Sequence, residues 1–163
     1  MIQVFKQSME KQVIDHILTI ENHEFHCNLT LEDQPDLLNI QESYIDNGGM
    51  FWVATDHDQI IGTLGLYNLG NGNCDLRKIF VHRDHRGGSS SIAQQMLNRF
   101  EQWAASHGFS TIYLETNSIF ASAISFYSRN GFNKITPEQL PDGFPKIKVA
   151  EYFFHKKISL SPA

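Results

Sequence analysis

The sequence predicts a chain of the mixed α/β class, with a central, mostly antiparallel twisted sheet of six or seven strands flanked by about four helices. Three observations carry this expectation. Residues 50–81 contain three β-prone runs joined by tight turns. Residues 76–109 read as an apolar strand, a basic glycine-serine turn and a long amphipathic helix. A strong strand, Thr111–Thr116 (TIYLET), follows that helix, so one strand pair is joined by a crossover long enough to be parallel and expected to be right-handed.

In chain order, Ile2–Lys6 alternates enough for a short first strand. Val13, Ile14, Ile17 and Leu18 then share one helix face. Asn22–Leu31 is polar with scattered apolar residues and reads as an irregular connection. Asp33-Gln34-Pro35 is a helix start, with proline tolerated in the first turn and Asp33 available as a cap. Leu37, Leu38, Gln41, Tyr44 and Ile45 form a second, shorter face, ended by Asn47-Gly48-Gly49.

Met50–Thr55, Ile60–Asn68 and Cys74–Val81 follow as an antiparallel meander, with turns at 56–59 and 69–73. Gly62 and Gly65 weaken the middle strand by propensity and mark a bulge or close packing. In the long helix, Ile92, Ala93, Met96, Leu97, Phe100, Trp103 and Ala104 recur at helical steps, and His107-Gly108 supplies the stop. A further helix within Asn117–Asn130 sets Phe120, Ala123, Ile124 and Tyr127 to one side. Phe132–Ile135 and Ile147–His155 are the last strands.

The chain has 163 residues, a length suited to one domain, 1–163, and 41% of them are hydrophobic, which excludes a disordered chain. The formal net charge of −5 argues against a nucleic-acid partner. Cys27 and Cys74 form neither a metal-ligand spacing nor a disulfide framework, and no HExxH pattern supports a metal site. No run approaches the ~20 apolar residues of a membrane span, and the opening MIQVFKQSMEKQ has no signal-peptide character. A soluble cytoplasmic protein is the expectation. It is a monomer or a homodimer, the run Ile147–Phe154 being either an apolar contact surface or part of the monomer's core.

The turn Arg86-Gly87-Gly88-Ser89-Ser90-Ser91 sits between a strand end and a helix start, where free N–H groups and the helix dipole favour an anion. The glycines relax the backbone, and any of the three serines can cap the helix. The turn lacks the Gly-Lys-Ser/Thr ending of a Walker phosphate loop.

Three stretches, taken together, resemble one family. FVHRDHRGGSSSIAQQML resembles the acyl-CoA-binding motif of the GNAT superfamily of N-acetyltransferases. AISFYSRNGF resembles its second block, a helix with a tyrosine followed by Gly-Phe entering a strand. FWVATDHDQIIGTLGLYN resembles the preceding strand–turn–strand. Ser89 and Ser91 stand where the family pattern has two small residues, usually Gly or Ala, and Phe120 stands where an asparagine is common.

The resemblance implies a GNAT-like fold and acetyl transfer from acetyl-CoA to an amine, either a small molecule or a protein amine, by direct attack in a ternary complex. It implies a pyrophosphate cradle at Gly87, Gly88, Ser89, Ser90 and Ser91, with Arg86 adding charge. Ile79, Phe80 and Val81 would pair with the pantetheine arm, and the Val81 amide would face the thioester oxygen. Asn117 would contact that arm or cap the next helix. Tyr127 is the implied general acid for the departing thiolate, against the alternative of a core tyrosine.

Asp75 is the candidate general base or amine-positioning group, against the alternative of a solvated edge carboxylate, with Glu115 a weaker candidate. His82 and His85 flank basic residues beside the cradle and serve phosphate electrostatics or proton transfer. His23, Glu24, Phe25 and His26 lie where the family often forms an acceptor wall. Arg129 and Lys134 are solvent charges or lie near the adenosine phosphate. A second functional class, an acyl-CoA-binding module with little turnover, is motivated by Ser89 and Ser91.

Overall fold

The computed structural model describes residues 1–87, 91–145 and 150–159; Gly88, Ser89, Ser90 and part of the 147–155 run lie outside the described residues. Among the described residues, seven strands hydrogen-bond in the order β1-β2-β3-β4-β5-β7-β6. They are Ile2–Val4 (β1), Met50–Asp56 (β2), Gln59–Gly70 (β3), Asn73–Val81 (β4), Thr111–Thr116 (β5), Asn133–Ile135 (β6) and Tyr152–Lys157 (β7). The α-helices are Glu10–Thr19 (α1), Pro35–Leu38 (α2), Ile92–Ser106 (α3) and Ala121–Arg129 (α4). The chain forms two compact units, Met1–Asn68 with Leu76–Trp103, and Leu69–Asp75 with Ala104–Ala163.

In the first unit, β1 and β3 both pair antiparallel with β2. His57 and Asp58 both have positive φ, as a two-residue hairpin turn of the primed type demands. The run MFWVA is apolar throughout because β2 is covered on both faces. Phe51 and Val53 join Phe5, Val13, Ile17, Leu37, Ile40 and Tyr44 in one cluster. Trp52 points the other way, with ring centroids 5.8 Å from Phe100 and 6.1 Å from Trp103 of α3. Gly62 and Gly65 serve these opposite faces. A Cβ on Gly62 would lie 3.0 Å from the Met96 sulfur, and one on Gly65 would lie 2.6 Å from the Tyr44 ring. Close packing explains both, and Gly62 also borders a register shift, where Ala54 pairs with Gly62 but Thr55 pairs with Ile60.

In the second unit, β4 pairs parallel with β5 through Asn73–Asp75 and Thr111–Tyr113. The last strand, β7, lies antiparallel between β5 and β6. Ile135, Leu140, Phe144 and Phe153 form its core cluster. Phe153 and Phe154 are buried at 7% and 4% exposure, so this part of the C-terminal run belongs to the core of the chain.

Three local expectations are corrected. The connection after α1 does not begin at Asn22, because Ile20–Glu24 continues the helix as a π-helical turn. Asp33 does not cap α2: its carboxylate accepts the Thr30 N–H, and Thr30 Oγ1 accepts the Asp33 N–H in return. Gln34 takes the cap position without a side-chain cap, ahead of Pro35. Among the described residues the final strand is Tyr152–Lys157, in register with Thr116–Thr111, so it leaves out Ala150 and Glu151 and runs past His155; Ile147, Lys148 and Val149 lie outside the described residues.

Gly65→Ala forces a methyl group into the Tyr44–Phe51 contact, and we expect it to lower unfolding free energy by about 1–3 kcal/mol. Urea denaturation checks this; an unchanged midpoint would show that the ring moves aside without cost.

Candidate active site

The first unit presents the end of β4 and the turn beyond it. Arg86 donates through Nε to the Val81 carbonyl at 2.7 Å. Its two terminal nitrogens reach the two oxygens of Glu24, Nη2 at 2.9 Å and Nη1 in a still closer contact. Phe25 lies 5.7 Å below the guanidinium. The charge expected to serve an anion is therefore paired with a carboxylate of the connection after α1, and that pair is only partly exposed. Asn22 shapes this connection by bonding both the N–H and the C=O of Leu29.

Gly87 has φ +92, a conformation that favours glycine, and nothing lies within 4 Å of where its Cβ would stand. Ser91 caps α3: its hydroxyl accepts the Gln94 N–H at 3.1 Å. Gly88, Ser89 and Ser90 lie outside the described residues. Among the exposed histidines, His82 accepts the Asp84 N–H at 3.2 Å, and His23 and His26 face solvent. His85 Nε2 sits 3.3 Å from Asp56.

Two features escape the sequence reading. His16, on α1, places Nε2 2.9 Å from the Phe80 carbonyl. Burial lowers its pKa, and His82 and Arg86 push it further down against the opposing backbone bond, so it is neutral at pH 7. The signal was its position three residues after Val13, which puts it on the flank of the buried face.

The second feature is a buried polar cluster. Gln34 donates to Glu21 at 2.8 Å, Tyr44 donates to Asp36 in a very short bond, and the Lys78 ammonium lies 3.6 Å from Asp36. Lys78 itself has φ +59 within β4, and Thr63 Oγ1 donates to its carbonyl at 2.8 Å. A non-glycine residue in this region is a strained kink in the strand. The pair Arg77-Lys78, set between the apolar Leu76 and Ile79-Phe80-Val81, was its sequence signal.

The second unit holds the acid–base candidates. Asp75 is fully buried, at 0% exposure, which excludes the solvated edge carboxylate. Tyr127 is 5% exposed and packs between Phe132 and Phe154, with centroids at 5.8 and 6.3 Å. Its pKa lies well above the ordinary 10, first because of burial and then because of the negative charge of Asp75. Asn117 caps the turn before α4, its carbonyl oxygen accepting the Ile119 N–H at 3.1 Å. Glu115 is half-buried on β5, Arg129 is exposed, and the Lys134 ammonium lies 4.2 Å over the Tyr152 ring. Among the described residues, no group of His, Cys, Asp and Glu gathers to hold a metal, and no helix is long and apolar enough to cross a membrane.

Comparison with known proteins adds three findings. The family model for the acetyltransferase (GNAT) family matches residues 14–132. Among curated proteins, the probable N-acetyltransferase camello of Xenopus tropicalis is 30% identical over 82% of this chain and 63% of its own length. The probable N-acetyltransferase family 8 member 5 of Mus musculus is 34% identical over 62% of this chain and 46% of its own. The chain spans about half the length of the curated relatives it matches. Among solved structures, a GNAT-family acetyltransferase from Staphylococcus aureus Mu50 superposes with a TM-score of 0.91 at 35% identity, covering 96% of this chain and 98% of that one. The PaiA N-acetyltransferase of Thermoplasma acidophilum, solved in complex with coenzyme A, shares the fold with a TM-score of 0.74 at 15% identity, over 97% and 98% of the two chains.

Burial of Glu21 raises its pKa above 4.5, partly offset by the Gln34 bond and by Lys78. Between 4.5 and that raised value the folded chain binds more protons than the unfolded one, so this residue's contribution to stability falls as pH rises through the window. Glu21→Gln removes that titration. Thermal unfolding across the pH range should show the variant gaining on the wild type as pH rises above about 4.5; a pH-independent difference would refute the assignment.

Proposed function

The chain belongs to the acetyltransferase (GNAT) family, and from that membership we propose that it moves an acetyl group from acetyl-CoA to a primary amine by direct attack in a ternary complex. The observation that supports the reading is the presence, within one unit, of a buried carboxyl group, Asp75, and a buried phenol, Tyr127, kept protonated first by burial and then by the charge of Asp75. A carboxyl group and a phenol that interact electrostatically are suited to base and acid roles.

Acetyl-CoA supplies an activated acyl carbon and a thiol leaving group of roughly cysteine's acidity, ~8.5. The residues present suit it. The left-handed Gly87 leaves open space on the turn, the N-terminus of α3 adds a favourable dipole for phosphate, and relatives of this fold are solved with coenzyme A. Gly87 to Ser91 hold the pyrophosphate in this reading, and Ile79, Phe80 and Val81 line the pantetheine arm.

The Val81 N–H donates to the thioester oxygen as negative charge develops there. Asp75 receives the amine proton, directly or through one water, or orients the amine. Tyr127 donates its proton toward the departing sulfur. A phenol with a raised pKa stays protonated over the whole working range, so the acid is always in its competent form. No cysteine is needed as an acyl carrier: Cys74 is buried, and its thiol is held protonated by burial and by Asp75. The acceptor is a small-molecule or protein amine, and the net charge of −5 favours a cationic one.

Thiol release over a panel of amines tests the reaction, with acetyl-CoA binding measured by calorimetry. Tyr127→Phe keeps the ring between Phe132 and Phe154 and removes only the hydroxyl. It should bind acetyl-CoA like the wild type and lose about 10²-fold in kcat, the lower end of general-acid catalysis. An unchanged kcat with an active acceptor removes Tyr127 from the role of acid.

A further inference from the structure

The last two peptide groups of β4 are each held from one side. His82 donates its N–H to the Ile61 carbonyl of β3 at 2.8 Å. Successive N–H groups in a strand point to opposite edges, so the Val81 N–H points to the edge away from β3. The Phe80–Val81 peptide is planar and trans, and its carbonyl therefore points in the opposite direction from that N–H. His16 Nε2 meets this carbonyl at 2.9 Å. A carbonyl oxygen carries no hydrogen, so Nε2 is the donor and the neutral ring is the Nε2–H tautomer. The next peptide, Val81–His82, is held as well: its carbonyl accepts Arg86 Nε at 2.7 Å, and Glu24 anchors that guanidinium with both oxygens.

We propose that His16 is a positioning residue for acetyl transfer, acting through the Phe80–Val81 peptide to aim and polarise the Val81 N–H. The proposal rests on the reading above that this N–H meets the thioester oxygen. A hydrogen bond to a peptide carbonyl draws electron density toward oxygen and makes the N–H of the same peptide a stronger donor, the cooperative effect of hydrogen bonds in series. That strength matters most when the thioester oxygen becomes an anion. The contribution belongs to the transition state, in kcat, and not to the binding of ground-state acetyl-CoA. A neutral histidine supplies the donor without setting a second positive charge beside Arg86. The other brace, from Glu24 through Arg86, fixes the neighbouring peptide so that the strand end cannot rotate to follow a lost contact.

The test compares wild type, His16→Phe, His16→Met and His16→Gln. Phe and Met fill the space without a donor, and Gln restores an N–H donor on a shorter arm. With acetyl-CoA and the best amine of the panel, the donor-less variants should lose about tenfold in kcat, well short of the 10²–10³ lost with an oxyanion donor itself. Their KM for acetyl-CoA should stay within about twofold, and His16→Gln should recover most of the loss. A second readout needs no turnover: the Val81 amide proton resonance of the free protein should move in the donor-less variants and return in His16→Gln. If the wild type is active and both donor-less variants keep wild-type kcat, or if the Val81 resonance does not respond, the proposal is overturned while the acetyltransferase reading stands. If the loss is not recovered by Gln and follows a fall in thermal stability, His16 is merely structural and the proposal is again overturned. A wild type that acetylates no amine overturns both.

Discussion

A strand whose end is partly buried must anchor its peptide groups inside the protein, because buried peptide groups without partners are costly. That constraint organises β4. His82 bonds to β3, the Phe80 carbonyl meets His16, and the Val81 carbonyl meets Arg86. Upstream, Thr63 holds the carbonyl of Lys78 at the kink, and Asp36 holds the Lys78 ammonium. The elements that supply these anchors come from distant parts of the chain: α1, the connection after it, α2 and β3. The N-terminal helices thereby act on the shape of the strand as well as on the core.

Burial tunes the titratable groups in both units, and it does so with opposite consequences for chemistry. In the first unit it keeps His16 neutral and disfavours the charge of Glu21, leaving groups that hold geometry. In the second it keeps Tyr127 and Cys74 protonated next to Asp75. The same desolvation that makes Cys74 a poor nucleophile keeps the Tyr127 phenol protonated. A direct-attack mechanism fits that pairing better than a route through an acyl-cysteine.

Much of this was readable in the residues. The alternation and turn chemistry of residues 50–81 located the meander, and the apolar steps from Ile92 to Ala104 located α3, since both patterns report burial on a defined face. Ser91 was among three equivalent candidates for the α3 cap, and spacing alone could not choose. The position of β7 between β5 and β6 was not readable, because strand order depends on long-range pairing that leaves no local period. The π-helical turn at Ile20–Glu24 was missed because its polar residues mask a helix that continues past the apolar face. The roles of His16, Lys78 and Glu24 were missed for a different reason. Each acts on a backbone carbonyl or on another side chain remote in sequence, and no motif spacing records such a contact.

Arg86 shows where a motif reading and a structural reading diverge. A basic residue opening a glycine turn invites the inference that it meets a phosphate. Here both terminal nitrogens are engaged by Glu24 and the third by the Val81 carbonyl, so the positive charge is largely balanced inside the protein. Attraction for an anion at the turn then falls to backbone N–H groups and to the dipole of a fifteen-residue helix. Those partial charges are fixed in direction and need no reorganisation when an anion arrives, whereas a guanidinium would have to leave a carboxylate first. Ser91 is committed to the α3 cap, so its hydroxyl, like the Arg86 guanidinium, is already engaged within the protein.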